Sequence, residues 1–179
     1  MDKMRKFKYK WFYTIDHKGL LYLEEIEPKN YTSCLKQIKA LNFFFTHLQE
    51  NDLGIEKEYG YISPCWTEMN FVKPYKYPIV FNNFSKREDG TYEMRYAGDL
   101  KQVFDPSKLI MDEGGHFLHP LDNHKYLKYG SFESNISVSF CETVTEEEGE
   151  MYIEWEGQKH KLYEEATPDI IKRRNDAIV

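Results

Sequence analysis

The stretch Tyr59-Gly-Tyr-Ile-Ser-Pro-Cys-Trp-Thr-Glu-Met-Asn-Phe71 decides how the chain is organised. Residues 59–62 have the aromatic and β-branched character of a strand. Pro64 fixes its own φ and pushes Ser63 toward an extended conformation, so we expect the strand to end before Pro64. Three polar side chains then follow just beyond that end, namely Cys65, Glu68 and Asn70. Because loops at strand ends often carry function, this stretch supplies the first candidate residues.

The composition indicates a β-rich soluble protein. Among 179 residues there are 14 Tyr, 12 Phe and 3 Trp, and aromatic rings favour strands and flat interfaces. The formal net charge of -6 disfavours general binding to nucleic acid or to anionic lipids. No apolar run approaches the roughly 18 residues of a membrane span. Three cysteines without a Cys-x-x-Cys pair favour a reducing compartment over a disulfide framework or a zinc knuckle.

Hydrophobic periodicity in the first third predicts a hairpin followed by a helix. From Phe7 to Ile15, the residues alternate as in a strand with one buried face, with Phe7, Tyr9, Trp11, Tyr13 and Ile15 in one phase and Lys8, Lys10, Phe12 and Thr14 in the other. The turn residues 16–19 return the chain into a second strand. A long helix is then expected, capped by Thr32 or Ser33 and with its apolar positions running to Leu48.

The rest of the chain predicts further antiparallel strands and a short final helix. Ser134–Thr143 alternates as a strand would, and with Met151–Trp155 and His160–Tyr163 it predicts a three-stranded meander. Residues 168–179 are predicted to form a C-terminal tail helix, and residues 1–6 a basic N-terminal extension. With no linker or repeat, we expect one α+β domain over residues 1–179, mainly an antiparallel meander with one long helix packed on it.

Three histidines within nine residues raise a metal hypothesis, namely His116, His119 and His124. Gly114, Gly115 and Pro120 argue against the helix that would bring His116 and His119 to one side. We therefore favour a polar loop and expect neither a bound metal nor another cofactor.

A small enzyme is one alternative function. Cys65 would be its nucleophile, His116 or His119 its base, and Glu68 or Asn70 the group that orients the base. This spacing matches no motif of known mechanics, so a packing or turn role is favoured for Cys65. A ligand-binding protein centred on Cys65 belongs to the same alternative.

A ribosome- or RNA-associated module is the second alternative. Lys6, Lys8 and Lys10 alternate along the first strand with rings that are able to stack on bases. Alternating lysines also protect an edge strand from aggregation, and the net charge opposes RNA. The first strand also offers candidates for contact with another protein, namely Lys8, Trp11 and Tyr13. Trp66, which follows Cys65, is a fourth candidate.

Several stretches resemble the uncharacterised protein family (UPF) 0598. The clearest are Phe12-Tyr13, Ile15-Asp16-His17, Ile62-Ser63-Pro64-Cys65, Asn70-Phe71 and His119-Pro120. After Ser-Pro-Cys the family pattern reads Gly-Arg-Glu-Arg-Asn, whereas this chain has Trp66-Thr67-Glu68-Met69-Asn70. Loss of two arginines beside a turn glycine removes groups suited to binding an anion. The resemblance implies a small mitochondrial protein and no particular reaction. The chain has no clear presequence, and a cytoplasmic location is the alternative.

These observations favour a non-catalytic role. We expect an accessory or structural subunit, or an assembly partner, of a larger mitochondrial protein complex, of which a respiratory-chain complex is one candidate. Its partners would be the other protein subunits, with no direct membrane span and no nucleic acid.

Overall fold

The computed structural model of the protein describes residues 7–162, in which short strands dominate. The predicted extension 1–6 and the predicted C-terminal helix 168–179 lie outside the described residues. The strands are β1 Tyr9–Ile15, β2 Leu21–Leu23, β3 Gln49–Glu50, β4 Tyr61–Cys65, β5 Glu68–Pro74, β6 Val80–Phe81, β7 Asn83–Lys86, β8 Tyr92–Tyr96, β9 Leu100–Val103, β10 Ile110–Met111, β11 Phe117–Pro120, β12 Tyr129–Phe132, β13 Val144–Glu147, β14 Glu150–Trp155 and β15 Gln158–Lys161. The helices are α1 Ile38–Thr46, α2 Ser134–Cys141 and a 3₁₀ turn at Pro106–Lys108. The predicted α+β class is confirmed.

Within the described residues the strands form four small sheets whose neighbours are mostly antiparallel. Sheet A has the order β2-β1-β5-β4-β3, sheet B β10-β11-β12-β6, sheet C β7-β8-β9 and sheet D β13-β14-β15. The pairs β1–β5 and β12–β6 are parallel. A parallel pair needs a long connection, and the connection from β1 to β5 contains α1.

The predicted hairpin of β1 and β2 is present and its turn is closely packed. Asp16 Oδ1 accepts a hydrogen bond from the backbone N–H of Lys18 at 2.9 Å, and Asp16 Oδ2 accepts one from the Tyr22 hydroxyl at 3.0 Å. Gly19 has φ +79°, and a Cβ atom there would lie 2.9 Å from the Cβ of Val80. A side chain at position 19 would therefore clash with β6. The turn of sheet A and strand β6 of sheet B are in direct contact at this point.

The prediction of one long helix is wrong, because α1 has nine residues and α2 has eight. Ser33 does not cap a helix. Its Oγ accepts the backbone N–H of Asn30 at 3.1 Å and donates to the Pro28 carbonyl at 2.7 Å, which holds a separate turn before α1. Neither described helix is long and apolar enough to cross a membrane.

The predicted strand at Ser134–Thr143 is also wrong, because this segment forms α2. Ile136 and Phe140 lie four residues apart and both pack into the core, whereas Val138 between them is 58% exposed. Burial therefore follows the helical period rather than the alternation that suggests a strand. The predicted three-stranded meander exists as sheet D, but it begins at β13.

One main hydrophobic core joins the four sheets and both helices. Phe140 is fully buried at its centre, with ring centroids of five other aromatic residues within 6 Å, namely Phe84, Phe104, Phe117, Phe132 and Trp155. A second, smaller cluster contains Tyr59, Ile62, Met69 and Phe71 on sheet A. The aromatic residues that are abundant in the sequence thus form the packing between sheets.

Replacing Phe140 with alanine tests this account of α2. Phe140→Ala should lower the free energy of unfolding by about 3–5 kcal/mol, because it opens a cavity among five rings. Val138→Ala on the same helix should change that free energy by less than about 0.5 kcal/mol. Denaturant unfolding of both variants measures the difference, and equal losses would contradict a helix that faces the core through Phe140.

Candidate functional site

The β4–β5 hairpin contains the residues that the opening stretch predicts. The expectation that the strand ends before Pro64 is wrong, because β4 continues to Cys65. Strand β3 pairs only with Tyr61 and Ile62, so Pro64 lies beyond the end of β3, where the sheet needs no N–H from it. Glu68 and Asn70 consequently lie in β5 and not in a loop.

Strand register brings these side chains to one face of sheet A. Cys65 pairs with Glu68, and Ser63 pairs with Asn70. From the parallel neighbour β1, Tyr9 pairs with Glu68 and Trp11 pairs with Asn70. Paired residues share a face of the sheet. Helix α1 covers the same face further along, where the Ser63 hydroxyl donates to the Phe44 carbonyl at 2.7 Å.

The hairpin turn exposes a large ring in a strained conformation. Trp66 has φ +54°, in the left-handed region, and it is 85% exposed. That conformation costs an L-residue other than glycine roughly 1–2 kcal/mol. The adjacent Thr67 carbonyl accepts the backbone N–H of Lys8 at 2.7 Å, which ties the turn to the start of β1.

We call the group Tyr9, Trp11, Cys65, Trp66 and Glu68 the hairpin patch. Burial first, and then the Glu68 carboxylate, raise the pKa of the Cys65 thiol. Burial, and then the charges of Glu68 and Cys65, raise the pKa of the neighbouring Tyr13. Both groups are therefore protonated at neutral pH.

The predicted contact residues are mostly close together. Trp11 is 40% exposed, and Trp66 lies at the adjacent turn. Tyr13 is half-buried, with its ring centroid 5.1 Å from that of Phe44. Lys8 is exposed, and its Nζ lies 5.3 Å from the Tyr9 ring centroid.

The predicted base His119 is not hydrogen-bonded to Cys65. It lies in β11 of sheet B, 1% exposed. Its Nδ1 donates to the Pro120 carbonyl at 2.8 Å, and its Nε2 accepts the backbone N–H of Asp105 at 3.1 Å. Burial lowers the pKa of His119 despite these bonds. His119 therefore acts as a neutral, hydrogen-bonded core residue in this geometry.

The other two histidines of the metal hypothesis are also held by separate partners. His124 Nε2 donates to the Phe45 carbonyl in α1 at 2.7 Å, and its Nδ1 accepts the backbone N–H of Leu127 at 3.0 Å. His116 contacts Asp112. In residues 7–162, no group of three or more His, Cys, Asp or Glu side chains is placed to hold a metal ion.

Sequence reasoning missed a polar cluster around Asp112, whose side chain is 1% exposed. Its carboxylate accepts the Tyr77 hydroxyl at 2.6 Å and the backbone N–H of His116 at 2.9 Å. Lys76 Nζ lies 3.8 Å from the same carboxylate and 2.9 Å from His116 Nδ1. We call these four residues the Asp112 quartet. It joins the β5–β6 connection to the β10–β11 loop, segments whose spacing in the sequence gave no signal of contact.

A family model described as a domain of unknown function (DUF4505) matches residues 2–167. The chain belongs to the DUF4505 family. Two solved structures are similar to it. A DUF1285 family protein from Silicibacter pomeroyi DSS-3 is 9% identical, with 93% of this chain and 85% of that chain covered and a TM-score of 0.53. A DUF1285 family protein from Shewanella baltica OS155 is 13% identical, with 74% and 91% covered and a TM-score of 0.48.

These likenesses concern the fold and the family. At 9% identity, the Silicibacter protein shares its overall fold with this DUF4505 chain and nothing finer. Neither family description names a reaction. The function of this DUF4505 chain therefore has to be argued from its own side chains.

The raised pKa of Cys65 predicts slow alkylation in this DUF4505 chain. Iodoacetamide reacts with the thiolate, so at pH 7.5, Cys65 should react more slowly than Cys141, which is exposed. Glu68→Gln removes the charge that helps to raise the Cys65 pKa and should speed its alkylation, leaving Cys141 unchanged. Peptide-resolved mass spectrometry measures both rates in one sample. Faster alkylation of Cys65 than of Cys141 would instead indicate an activated nucleophile.

The Asp112 quartet predicts a pH-dependent stability. Burial alone would raise the pKa of Asp112, but the hydrogen bonds from Tyr77 and His116 outweigh it and hold that pKa below the ordinary 3.8. A lowered folded-state pKa stabilises the fold above pH 3.8, and this contribution is lost as pH falls through the folded value.

Asp112→Asn should therefore destabilise the fold by roughly 1–3 kcal/mol at pH 7, and the deficit should shrink below about pH 4. Denaturant unfolding of both proteins between pH 7 and pH 3 tests this. Asp122→Asn, at an exposed aspartate, serves as the control and should show no such trend. A deficit for Asp112→Asn that is constant over this range would contradict the linkage.

Proposed function

We propose that the protein is a non-catalytic accessory subunit that docks onto a larger protein assembly through the hairpin patch. The observation that carries this proposal is Trp66, a ring that is 85% exposed on a turn with φ +54°. Tryptophan and tyrosine are enriched among the residues that dominate protein interfaces. Tyr9 and Trp11 on β1 are also exposed, at 48% and 40%, and they pair in register with Glu68 and Asn70 of the same hairpin.

The conformation of Trp66 supports a role outside the fold itself. A glycine or asparagine would make the same turn with less strain. At 85% exposure the ring of Trp66 contributes little to packing within the chain. A ring that is both strained and exposed is most simply explained by burial against a partner.

The chemistry of the neighbouring residues favours binding over catalysis. The Cys65 thiol is protonated at neutral pH because its pKa is raised, and the His119 ring is bonded within sheet B. A cysteine nucleophile needs a lowered pKa or an adjacent base. Within residues 7–162, neither predicted base is hydrogen-bonded to Cys65, since His116 instead contacts Asp112. This favours binding over the enzyme alternative.

The RNA-associated alternative also finds little support. Of the lysines along β1, Lys10 forms an ion pair with Glu56 at 3.3 Å, so its charge is already partly compensated. Rings stacked on bases are normally accompanied by a positively charged groove. The hairpin patch instead carries the Glu68 carboxylate.

We extend the proposal to mitochondria on the basis of the resemblance to UPF0598, with a respiratory-chain complex as one candidate assembly. The partners would be protein subunits of that complex. Capture of the tagged protein from mild-detergent extracts of its native source, followed by sizing, tests this. Stoichiometric recovery in a large particle supports the proposal, and recovery as a free monomer overturns it.

Trp66→Gly separates docking from folding. Because glycine accepts a positive φ, the variant should be as stable as the wild type or up to about 1 kcal/mol more stable. It should nevertheless lose the partner in the capture experiment. Tyr31→Ala, which removes a ring that is 70% exposed on another loop, is the control and should retain the partner. Undiminished capture with Trp66→Gly would show that the turn is not the docking surface.

A further inference from the structure

The Asp112 quartet places an ammonium, an imidazole and a buried carboxylate in mutual contact. We infer that it is a proton-operated switch: the neutral ring of His116 holds the Lys76 ammonium, and a His116 ring that has taken a proton from solvent binds Asp112 alone and releases the Lys76 side chain. This switch lies in the β5–β6 connection and the β10–β11 loop, and it does not depend on the docking function proposed for the hairpin patch.

The carboxylate of Asp112 is the fixed charge of the quartet. Its side chain is 1% exposed, and it accepts the Tyr77 hydroxyl at 2.6 Å and the backbone N–H of His116 at 2.9 Å. A buried carboxylate also requires a positive charge nearby. Two side chains are placed to supply it, namely Lys76, with Nζ 3.8 Å from Oδ2, and His116, with Nδ1 3.1 Å from Oδ1.

A neutral His116 ring holds the lysine. Lys76 Nζ lies 2.9 Å from Nδ1 and 3.3 Å from Nε2 of the ring. A neutral imidazole has one acceptor nitrogen, and an ammonium has only donors. Whichever tautomer is present, an acceptor nitrogen therefore lies within 3.3 Å of the ammonium. In this state Lys76 supplies the positive charge beside Asp112.

A protonated His116 ring cannot hold the lysine. Both ring nitrogens then carry a hydrogen, so neither accepts a hydrogen bond. The Lys76 ammonium would face a second cation at the same 2.9–3.3 Å, a separation at which like charges repel strongly. The single carboxylate of Asp112 compensates only one of the two charges, and one cation has to leave.

The geometry selects Lys76 as the cation that leaves. His116 is anchored to Asp112 Oδ1 through its backbone N–H as well as through its ring. Lys76 Nζ is beyond hydrogen-bond length from the carboxylate. The Lys76 side chain is also 33% exposed, so it reaches solvent without any rearrangement of the core.

The backbone on either side of Lys76 stays in place. The backbone N–H of Tyr75 donates to the Ile15 carbonyl at 2.7 Å, and the Tyr77 hydroxyl is bonded to Asp112. The switch therefore moves one side chain. In the released state the ammonium of Lys76 becomes available beside the ring of Tyr75, which is 77% exposed.

The other titratable groups around the His116 ring leave this balance of charges unchanged. Tyr77, whose ring centroid lies 6.5 Å from that of His116, donates its hydroxyl proton to Asp112 and so is uncharged. Tyr129 packs behind Tyr77. Glu113, in the same loop, is exposed to solvent, where its charge is screened.

The first test follows the Lys76 side chain by NMR in protein that carries ¹³C-labelled lysine and histidine. Histidine ordinarily changes charge between pH 5 and pH 8, so the titration covers that range. Despite burial, the hydrogen bonds from Tyr77 and His116 hold the pKa of Asp112 below 3.8, and Asp112 stays ionised throughout.

We expect the Cε signals of Lys76 to change with the same midpoint as the His116 ring signals and to reach the positions of a solvent-exposed lysine at pH 5. Lys86, which is paired with Glu156, is the control and should show no such step. In His116→Gln, which has no ring to protonate, the Lys76 signals should stay constant. A constant Lys76 signal in the wild type, or a step that persists in His116→Gln, would overturn the inference.

A double-mutant cycle supplies the second test. Denaturant unfolding is measured for the wild type, Lys76→Met, His116→Gln and the double variant. At pH 8 the two changes should be coupled by about fivefold or more in the unfolding equilibrium constant, because each removes the same hydrogen bond. At pH 5 the coupling should fall below about twofold. Absence of coupling at pH 8, or undiminished coupling at pH 5, contradicts the switch. Coupling of the opposite sign at pH 5 would show that Lys76 stays beside the charged ring, and this also contradicts it.

Discussion

The parallel pairing of β1 with β5 is the constraint on which the candidate site depends. The pairing spans seven residue pairs, and among them Tyr9 lies beside Glu68 and Trp11 beside Asn70. Without it, the hairpin of β4 and β5 would carry Cys65, Trp66 and Glu68 but not the neighbouring rings of Tyr9 and Trp11. The same pairing requires a long connection between the two strands, and α1 within that connection packs on the face of sheet A through Phe44. The helix leaves the hairpin end of that face partly exposed.

Local signals in the sequence predict part of this structure. The β1–β2 hairpin follows from the alternation of residues 7–15 and from the turn residues Asp16 and Gly19. Phe12 interrupts that alternation and packs on the opposite face with Tyr59 and Phe71. The same reasoning fails at Ser134–Cys141, where Ile136, Val138 and Phe140 alternate as in a strand, but Ile136 and Phe140 are also spaced as on one face of a helix. Only the core around Phe140 decides between them. It also fails at Pro64, which does not end β4. The missing N–H of Pro64 is tolerated because β3 is too short to reach it, and the length of β3 cannot be read from the residues around Pro64.

The candidate site is less predictable than the fold. Cys65, Glu68, Trp66 and Trp11 are visible as candidates, but the register that unites them joins segments more than fifty residues apart. The Asp112 quartet has the same origin, since Lys76 and Tyr77 meet Asp112 only through the packing of two connections. Nor does the sequence show that Met69 is buried with Phe71 and Ile62 or that Trp66 occupies a left-handed conformation that would suit a glycine.

The parallel pairing of sheet A also affects the synthesis of the chain on the ribosome. Strand β1 is translated by Ile15, yet β5 is complete only at Pro74. At 5–20 residues per second, the interval between them lasts about 3–12 s. During that time, β2 is available to pair with Tyr13–Ile15, but the half of β1 that contains Tyr9, Trp11 and Phe12 lacks the β5 partner. The nascent chain therefore exposes an aromatic strand edge, a surface that chaperones are able to bind, before β5 is available to cover it.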